Sequence, residues 1–407
     1  VRVAFVVNDL QLSGGVGVVI EHARQLVGKH GFDVELVLAR EQAEPEWGFP
    51  GLAEVAVHGM ERARALRYDV VVATWWETLG AALELQAGRH AYFVQSLEDR
   101  FYMPHEAPRL AAALTYDLPL EVITEARWIA EALESLMPER RCLLVRNGID
   151  KDVFTPVAAP AVRGGGEPLR ILIEGNPGVW FKGVGEALEA VQQMRAPRIV
   201  TTITPDARKL PGADIALGPV SQRELAVVYE EHDVVLKLSR VEGMFGPPLE
   251  GFHRGATCVI TAVTGHEEYV EHGENGLVVD WDDPRGTARA LDLLATDNAL
   301  LHRLRWGALA TARGWPSWSQ QGTVMAAALR EIARREPLAG RPFDARLLAE
   351  LRGGIERHAL VAAERDRLRY RAAPIMAVDR ALQRPGARWL SRPAKRAWGA
   401  ARRAVRR

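Results

Sequence analysis

Two successions of short apolar runs, each interleaved with helical patterns, leave few folds open to this chain. In the first succession residues 3–7, 34–38, 70–72, 91–94, 122–123 and 143–145 read as strands. Val16, Val19, Ile20, Ala23, Leu26 and Val27 recur at helical spacing between the first two, and Gly31 is placed to end that helix. Trp128, Ile129, Leu133 and Leu136 form a later helical pattern. Apolar strands alternating with helices imply a parallel sheet covered by helices on both faces.

Residues 156–168 hold three prolines and Gly164-Gly165-Gly166, a composition that deters regular structure and marks a linker. The pattern then restarts, with strands expected at 169–173, 199–203, 234–238, 258–261 and 277–279 and helices over 184–194, 222–231 and 249–255. Helices over 298–312 and 317–335 are expected to close the second unit. The expected fold is α/β, with two Rossmann-like doubly wound domains facing a central cleft. Residues 1–155 form the first domain, 156–168 the linker, 169–335 the second domain with its return helix, and 336–407 a helical, basic tail. Ligands of such domains bind at the carboxyl ends of the strands, in the cleft.

A chain of 407 residues, 48% hydrophobic and 26% charged, can bury two substantial cores. Cys142 and Cys258 are too few for a disulfide framework and lack metal-type spacing, so a reduced, cytoplasmic compartment is expected. No apolar run approaches the roughly 18 residues that cross a bilayer, and the opening residues read as a strand, so the expected protein is neither secreted nor transmembrane. The zero net charge hides an asymmetry. The stretch that opens at Arg380 and ends at Arg407 has nine arginines, Lys395 and no acid, leaving −10 for residues 1–379. Trp389, Leu390, Trp398 and Val405 interleave with these cations, a mixture suited to an anionic membrane surface on the inner face; a solvated tail is the alternative. Nucleic-acid binding lacks a recognition motif or aromatic platform elsewhere.

The chemistry concentrates after the run 234–238. Glu242 and Glu250 bracket Gly243-Met244-Phe245-Gly246-Pro247-Pro248-Leu249, whose glycines suit a turn and whose prolines suit a first helical turn. Free N–H groups at a helix start attract phosphate while carboxylates hold sugar hydroxyls, so one turn can serve both halves of a sugar nucleotide. Acids favoured by the helix dipole are the plainer reading. Gly14-Gly15-Val16-Gly17 opens the first helix but does not match G-x-G-x-x-G. Lys182-Gly183, after Glu174-Gly175-Asn176-Pro177-Gly178, offers a cation beside another helix start, and a solvated lysine is its alternative. Asp280-Trp281-Asp282 imitates a metal-binding D-x-D, but Asp283-Pro284 follows, so these acids are expected to cap a helix and no metal is expected.

Taken in order, Asn147-Gly148-Ile149-Asp150 with Phe154, Lys182-Gly183, Glu242 and Glu250, Gly255 before Thr257-Cys258-Val259-Ile260, and Gly265-His266-Glu267-Glu268 with Glu274-Asn275-Gly276-Leu277 resemble the family-4 retaining glycosyltransferases of GT-B architecture. The likeness covers residues 1 to about 335 and is strongest over 221–284. Tyr92-Phe93-Val94-Gln95-Ser96-Leu97-Glu98-Asp99-Arg100-Phe101-Tyr102 resembles a rhamnosyltransferase-type branch. The resemblance implies transfer of a sugar, such as the deoxyhexose rhamnose, from a nucleotide-diphosphate donor to a glycan or lipid-linked acceptor of the cell envelope. It implies retention of configuration and no cofactor. Glu242 would face the donor sugar hydroxyls, Glu250 the nucleotide ribose and Lys182 the departing diphosphate. Gly14 and Gly15 would border the phosphates from the opposite domain, the backbone from Gly218 to Val220 would flank the base, and Met244, Phe245 and Gly246 would present N–H groups.

Many members of that family carry an arginine where this chain offers Asn176 and a histidine where it offers Gln95. Gln95 can hydrogen-bond a sugar hydroxyl but cannot act as a base, with Arg100 and His105 near enough in sequence to supplement it. Charge neutralisation then rests more heavily on Lys182. These departures keep alternatives open: an epimerase or phosphorylase of the same fold, or a sugar-nucleotide-binding scaffold without catalysis.

Overall fold

The computed structural model describes residues 1–40, 48–336 and 353; the basic stretch from Arg380 to Arg407 lies outside the described residues. Among the described residues the first lobe contains β1 (Arg2–Val7), α1 (Gly14–His30), β2 (Asp33–Leu38), β3 (Ala56–Gly59), α2 (Met60–Arg64), β4 (Arg67–Ala73), α3 (Thr78–Glu84), β5 (Gln86–Val94), α4 (Ala107–Thr115), β6 (Glu121–Thr124), α5 (Arg127–Leu136) and β7 (Cys142–Leu144). Its strands pair in parallel in the order β3-β2-β1-β4-β5-β6-β7. The second lobe contains β8 (Leu169–Glu174), α6 (Val184–Gln192), β9 (Arg198–Ile203), β10 (Ile215–Leu217), α7 (Gln222–Glu230), β11 (Val234–Lys237), α8 (Gly246–His253), β12 (Thr257–Thr261), β13 (Gly276–Val279), α9 (Pro284–Thr296) and α10 (Asn298–Gly314). Its parallel order is β10-β9-β8-β11-β12-β13.

Both sheets reverse strand order beside their first strand, at β1/β4 and at β8/β11. Loops leaving those strands diverge there and open a crevice. The loops carrying Gly14, Gln95, Lys182 and Glu242 follow β1, β5, β8 and β11. The expected runs are all present, because central parallel strands are buried on both faces and therefore read as apolar: Val3 to Val7 and Val234 to Leu236 are at most 2% exposed. The two edge strands β3 and β10 went unread, being short and half-exposed.

The linker has no regular structure but is tied to the second lobe. Val157 N–H donates to the His253 carbonyl (3.0 Å), Arg305 donates to Ala161 (3.0 Å), and Arg313 donates to Val157 and Ala158.

One expectation needs correction. The helix α11 (Trp318–Arg334) does not close the second lobe; its Met325, Ala326, Ala328, Leu329 and Ile332 fill the first lobe's core beside Val19, Ile20, Ala23 and Leu26 of α1. Gly322 permits the contact, since a Cβ there would lie 2.5 Å from Gln25 Cβ. The chain crosses back beside its outward path: Ile149 N–H donates to Pro316 O (3.1 Å) and Trp318 N–H to Ile149 O (3.3 Å). A Cβ on Gly148 would sit 2.3 Å from Trp318 N, so the crossing requires glycine there.

Candidate functional site

Glu242 is delivered by the end of β11, and the loop after β8 meets it. Gly183 (φ +66°) turns that loop so tightly against the strand end that a Cβ would lie 1.9 Å from the Leu238 carbonyl oxygen. This approach brings Lys182 Nζ to 3.0 Å from each Glu242 carboxylate oxygen. Ser239 Oγ donates to Glu242 Oε1 at 2.8 Å, and Lys237 Nζ lies 3.4 Å from the same oxygen. Burial pushes the Glu242 carboxyl up, but the ammonium groups of Lys237 and Lys182 outweigh it and hold the group below the usual carboxylate range. Burial draws the Lys182 ammonium below its ordinary value, against the pull of Glu242.

Glu250, on α8, has the opposite surroundings. Tyr229 OH donates to Glu174 Oε2 at 2.7 Å and lies 3.2 Å from Glu250 Oε2. Burial and then the Glu174 carboxylate push Glu250 up to about 8, so it carries a proton at neutral pH. A hydroxyl and two acids thus form a short polar chain beside the charged cluster.

The first lobe supplies the facing wall. Ser13 caps α1 by accepting from Val16 N–H (3.2 Å), leaving Gly14 and Gly15 in a first turn whose N–H groups have no intrahelical acceptor. A Cβ on Gly14 would meet nothing within 4 Å, so nothing in the protein itself demands glycine there. A Cβ on Gly15 would sit 3.3 Å from Gln95 Oε1, which places the predicted Gln95 directly against the predicted glycines.

Gln95 also marks where the lobes touch. A Cβ on Gly243 would lie 1.7 Å from the Gln95 carbonyl oxygen. Trp128 Nε1 donates to Gly243 O (2.9 Å), and Met244 N–H donates to Glu125 Oε1 (3.0 Å). Met244 is therefore not a cleft donor as expected: its N–H is engaged by the opposite lobe and its side chain is buried. Phe245 is likewise packed, 3% exposed, with its carbonyl accepting from Tyr269 OH (2.6 Å). The helix expected over 249–255 begins three residues earlier, at Gly246, with no side chain capping that start. Glu125 itself, bonded to Asn147 Nδ2 (2.9 Å), is pushed up to about 8, chiefly by burial.

Other predicted residues take plainer roles. Asn176 is exposed and accepts from Gly178 N–H (2.8 Å), fastening its own turn. Gly218 and Val220 lie on the loop after β10, two strands from β8, with Gly218 against Ala207. Arg100 bridges the lobes through Thr264 Oγ1 (2.7 Å) and lies over the Trp128 ring, while His105 is exposed. Asp283 caps α9 through Gly286 N–H (2.8 Å) and Asp282 pairs with Arg240, so two of the three acids in that stretch are engaged. Among the described residues no group of three or more His, Cys, Asp or Glu is arranged to hold a metal.

Several site residues escaped the sequence reading. Lys237 was hidden inside a run read as apolar, although a single cation there was a visible signal. Glu125 and Glu174 had no signal beyond standing at strand ends. Nor did the aromatic seam in which Phe101 approaches Trp75 (5.6 Å between centroids) and Phe181 (4.9 Å), and its carbonyl accepts from Trp180 Nε1 (3.2 Å).

Two Rossmann-like lobes meeting over an interlobe crevice define the GT-B class. Residues 169–297, which contain Lys182, Glu242 and Glu250, match the family described as Glycosyl transferases group 1. Residues 169–297 thus carry a glycosyltransferase group 1 domain, in keeping with the family-4 resemblance of the ordered motifs. The D-inositol 3-phosphate glycosyltransferase of Thermobispora bispora is 27% identical over 54% of this chain and 58% of its own length. The lipopolysaccharide core biosynthesis glycosyltransferase LpsE of Rhizobium meliloti is 38% identical over 18% of this chain and 21% of its own. The matches thus span less than two thirds of these relatives. In fold, the chain is similar to HepE of Anabaena, solved with UDP and glucose, at a TM-score of 0.65 and 15% identity over 81% of this chain and 99% of that one. Sucrose-phosphate synthase of Thermosynechococcus elongatus gives 0.64 and 16% over 81% and 98%.

Proposed function

We propose that this protein is a retaining glycosyltransferase that moves a sugar from a nucleotide-diphosphate donor to a glycan or lipid-linked acceptor without a metal. One observation carries the reading: Lys182 and Glu242 form a partly open, charged pair at the switch point of the second lobe, and Gly243, next to Glu242, abuts Gln95, which itself lies against Gly15. As the bond between sugar and phosphate breaks, negative charge grows on the diphosphate and positive character on the ring. Lys182, the first-turn N–H groups of α1 and the Gly246 N–H at the start of α8, where Pro247 and Pro248 carry none, then stabilise the leaving group. Glu242, kept anionic, receives the sugar hydroxyls. Glu250, proton-bearing, both accepts from and donates to the ribose hydroxyls.

Attack from the face that the diphosphate leaves lets a phosphate oxygen take the acceptor's proton, so no base is needed where Gln95 stands. A deoxyhexose such as rhamnose is the proposed sugar, on the strength of the segment from Tyr92 to Tyr102. The proposed setting is the cytoplasmic face of a membrane, reached through the basic stretch ending at Arg407. Among the described residues no helix is long and apolar enough to cross a membrane.

The test is donor consumption by purified protein, with a panel of nucleotide sugars and a lipid-linked glycan acceptor. Sugar appearing on the acceptor with its anomeric configuration kept supports the proposal. Isomerised or phosphorolysed sugar means the epimerase or phosphorylase reading, and binding without turnover means a scaffold. Sedimentation with anionic vesicles that is unchanged by deleting residues 380–407 removes the membrane proposal.

A further inference from the structure

We propose that Lys237 is a positioning residue that holds the Glu242 carboxylate in place, as its remaining cation, while Lys182 turns to the departing diphosphate. The inference rests on reading the crevice as a sugar-transfer centre.

Lys237 stands between Leu236 and Leu238 and is 5% exposed, in a strand otherwise built of fully buried aliphatic side chains. An ammonium buried there is strongly disfavoured unless it is paired. Its partner is Glu242 Oε1, 3.4 Å away, already held by Lys182 and Ser239. Two ammonium groups on one carboxylate exceed what pairing requires. Of the other acids of the second lobe near this cluster, Glu174 sets its charge against Lys182, while Glu250, the one within reach of Lys237, holds its proton up to about 8.

The two lysines also differ in what they can do. Lys182 ends a single 3-10 turn, with 29% of its side chain exposed; Lys237 lies in the sheet with 5%. Only the first is free on one side to reach a ligand. Once it does, Glu242, 7% exposed, would keep just the Ser239 hydroxyl if Lys237 were absent. The remaining groups facing Glu242 make that worse or leave it unchanged. Glu125, reaching over from the first lobe, is a second acid, and the buried Tyr269 phenol holds its proton firmly.

The experiment compares Lys237→Met and Lys237→Arg with the wild type, measuring kcat and KM for the donor from pH 5.5 to 9. Lys237→Met is expected to lower kcat on the order of 100-fold at pH 7 with KM changed less than about threefold, and to recover about tenfold toward pH 9 as Glu242 ionises. Lys237→Arg is expected to keep at least about a third of the rate, since the charge remains. A wild-type rate for Lys237→Met, or a pH-independent loss that arginine does not rescue, overturns the proposal.

A second measurement separates this inference from the transfer reading. In a Lys182→Met protein, carboxyl-carbon NMR follows the titration of Glu242 without any ligand. Adding Lys237→Met is expected to raise its midpoint by at least about one pH unit. An unchanged midpoint overturns the role of Lys237, whereas absence of turnover in the wild type overturns only the transfer reading.

Discussion

The neighbourhoods of Glu242 and Glu250 lie at the two ends of one turn and treat the same side chain in opposite ways. At the first end two lysines and a serine converge, and the carboxyl is held below its usual range despite burial. At the second end another acid and a tyrosine stand nearby, and the carboxyl keeps its proton up to about 8. The deciding neighbours come from elsewhere: Lys182 follows β8, Tyr229 lies on α7 and Glu174 ends β8. Spacing along the chain places two glutamates; tertiary partners decide that one is a fixed anion and the other a proton-bearing group.

The strongest way to break this comparison is to remove the charged end. Glu242→Ala and Lys182→Ala are each expected to lower kcat by about 10³ or more, roughly 4 kcal/mol of transition-state stabilisation, with the far-ultraviolet circular dichroism unchanged. Wild-type rates in either variant would defeat the assignment.

Closure of the lobes around that end is tested next. Gly243→Ala drives a Cβ into the Gln95 carbonyl, so the lobes cannot meet as they do here. A 10- to 100-fold loss of kcat/KM, on the order of 1–3 kcal/mol, should accompany a larger radius of gyration in solution scattering. An unchanged radius would show that the seam tolerates the methyl group.

The proton-bearing end has a pH signature. Glu250 and Glu125 are raised in the folded protein, so their contribution to stability is fully present below the unfolded carboxyl value and is lost as pH climbs through about 8. Glu242 has the opposite sign: its contribution is present above the unfolded value and lost as pH falls through its depressed folded one. Relative to wild type, the melting temperature of Glu250→Gln should therefore rise by a few degrees between about pH 5 and 8, a difference that cancels the opposite contribution of buried histidines such as His22 and His253. A slope identical to wild type would mean Glu250 is ionised after all.

The smallest effect sharpens the role of the facing wall. Gly14→Ala meets no protein atom, so its melting temperature should match wild type while donor KM rises about three- to tenfold, on the order of 1 kcal/mol. An unchanged KM would remove Gly14 from the donor's border.

Much of the fold was legible because buried parallel strands announce themselves as apolar runs, and Gly14-Gly15, Gly31 and Pro247-Pro248 mark helix ends where the structure has them. The partner of α11 was not legible: its apolar stripe says that it packs, not which lobe receives it. In the site, Lys182 and Glu242 were readable and pair, Gly15 and Gln95 were readable and touch, and Gly243 against the Gln95 carbonyl links the two pairs. Asn176 fastens its own turn through its side-chain oxygen, and Met244 was misread because the acceptor of its N–H, Glu125, lies 119 positions away. Contacts at that separation leave no periodic trace.

The path of α11 has a practical corollary for anyone dissecting this protein. Cutting within 156–168 would not release two self-sufficient halves. A fragment ending at residue 155 would expose the apolar bed that Met325, Leu329 and Ile332 cover, and its complement would carry that greasy helix unsheathed. Grafting 317–335 directly behind residue 155 is the splice that would make the amino-terminal half whole.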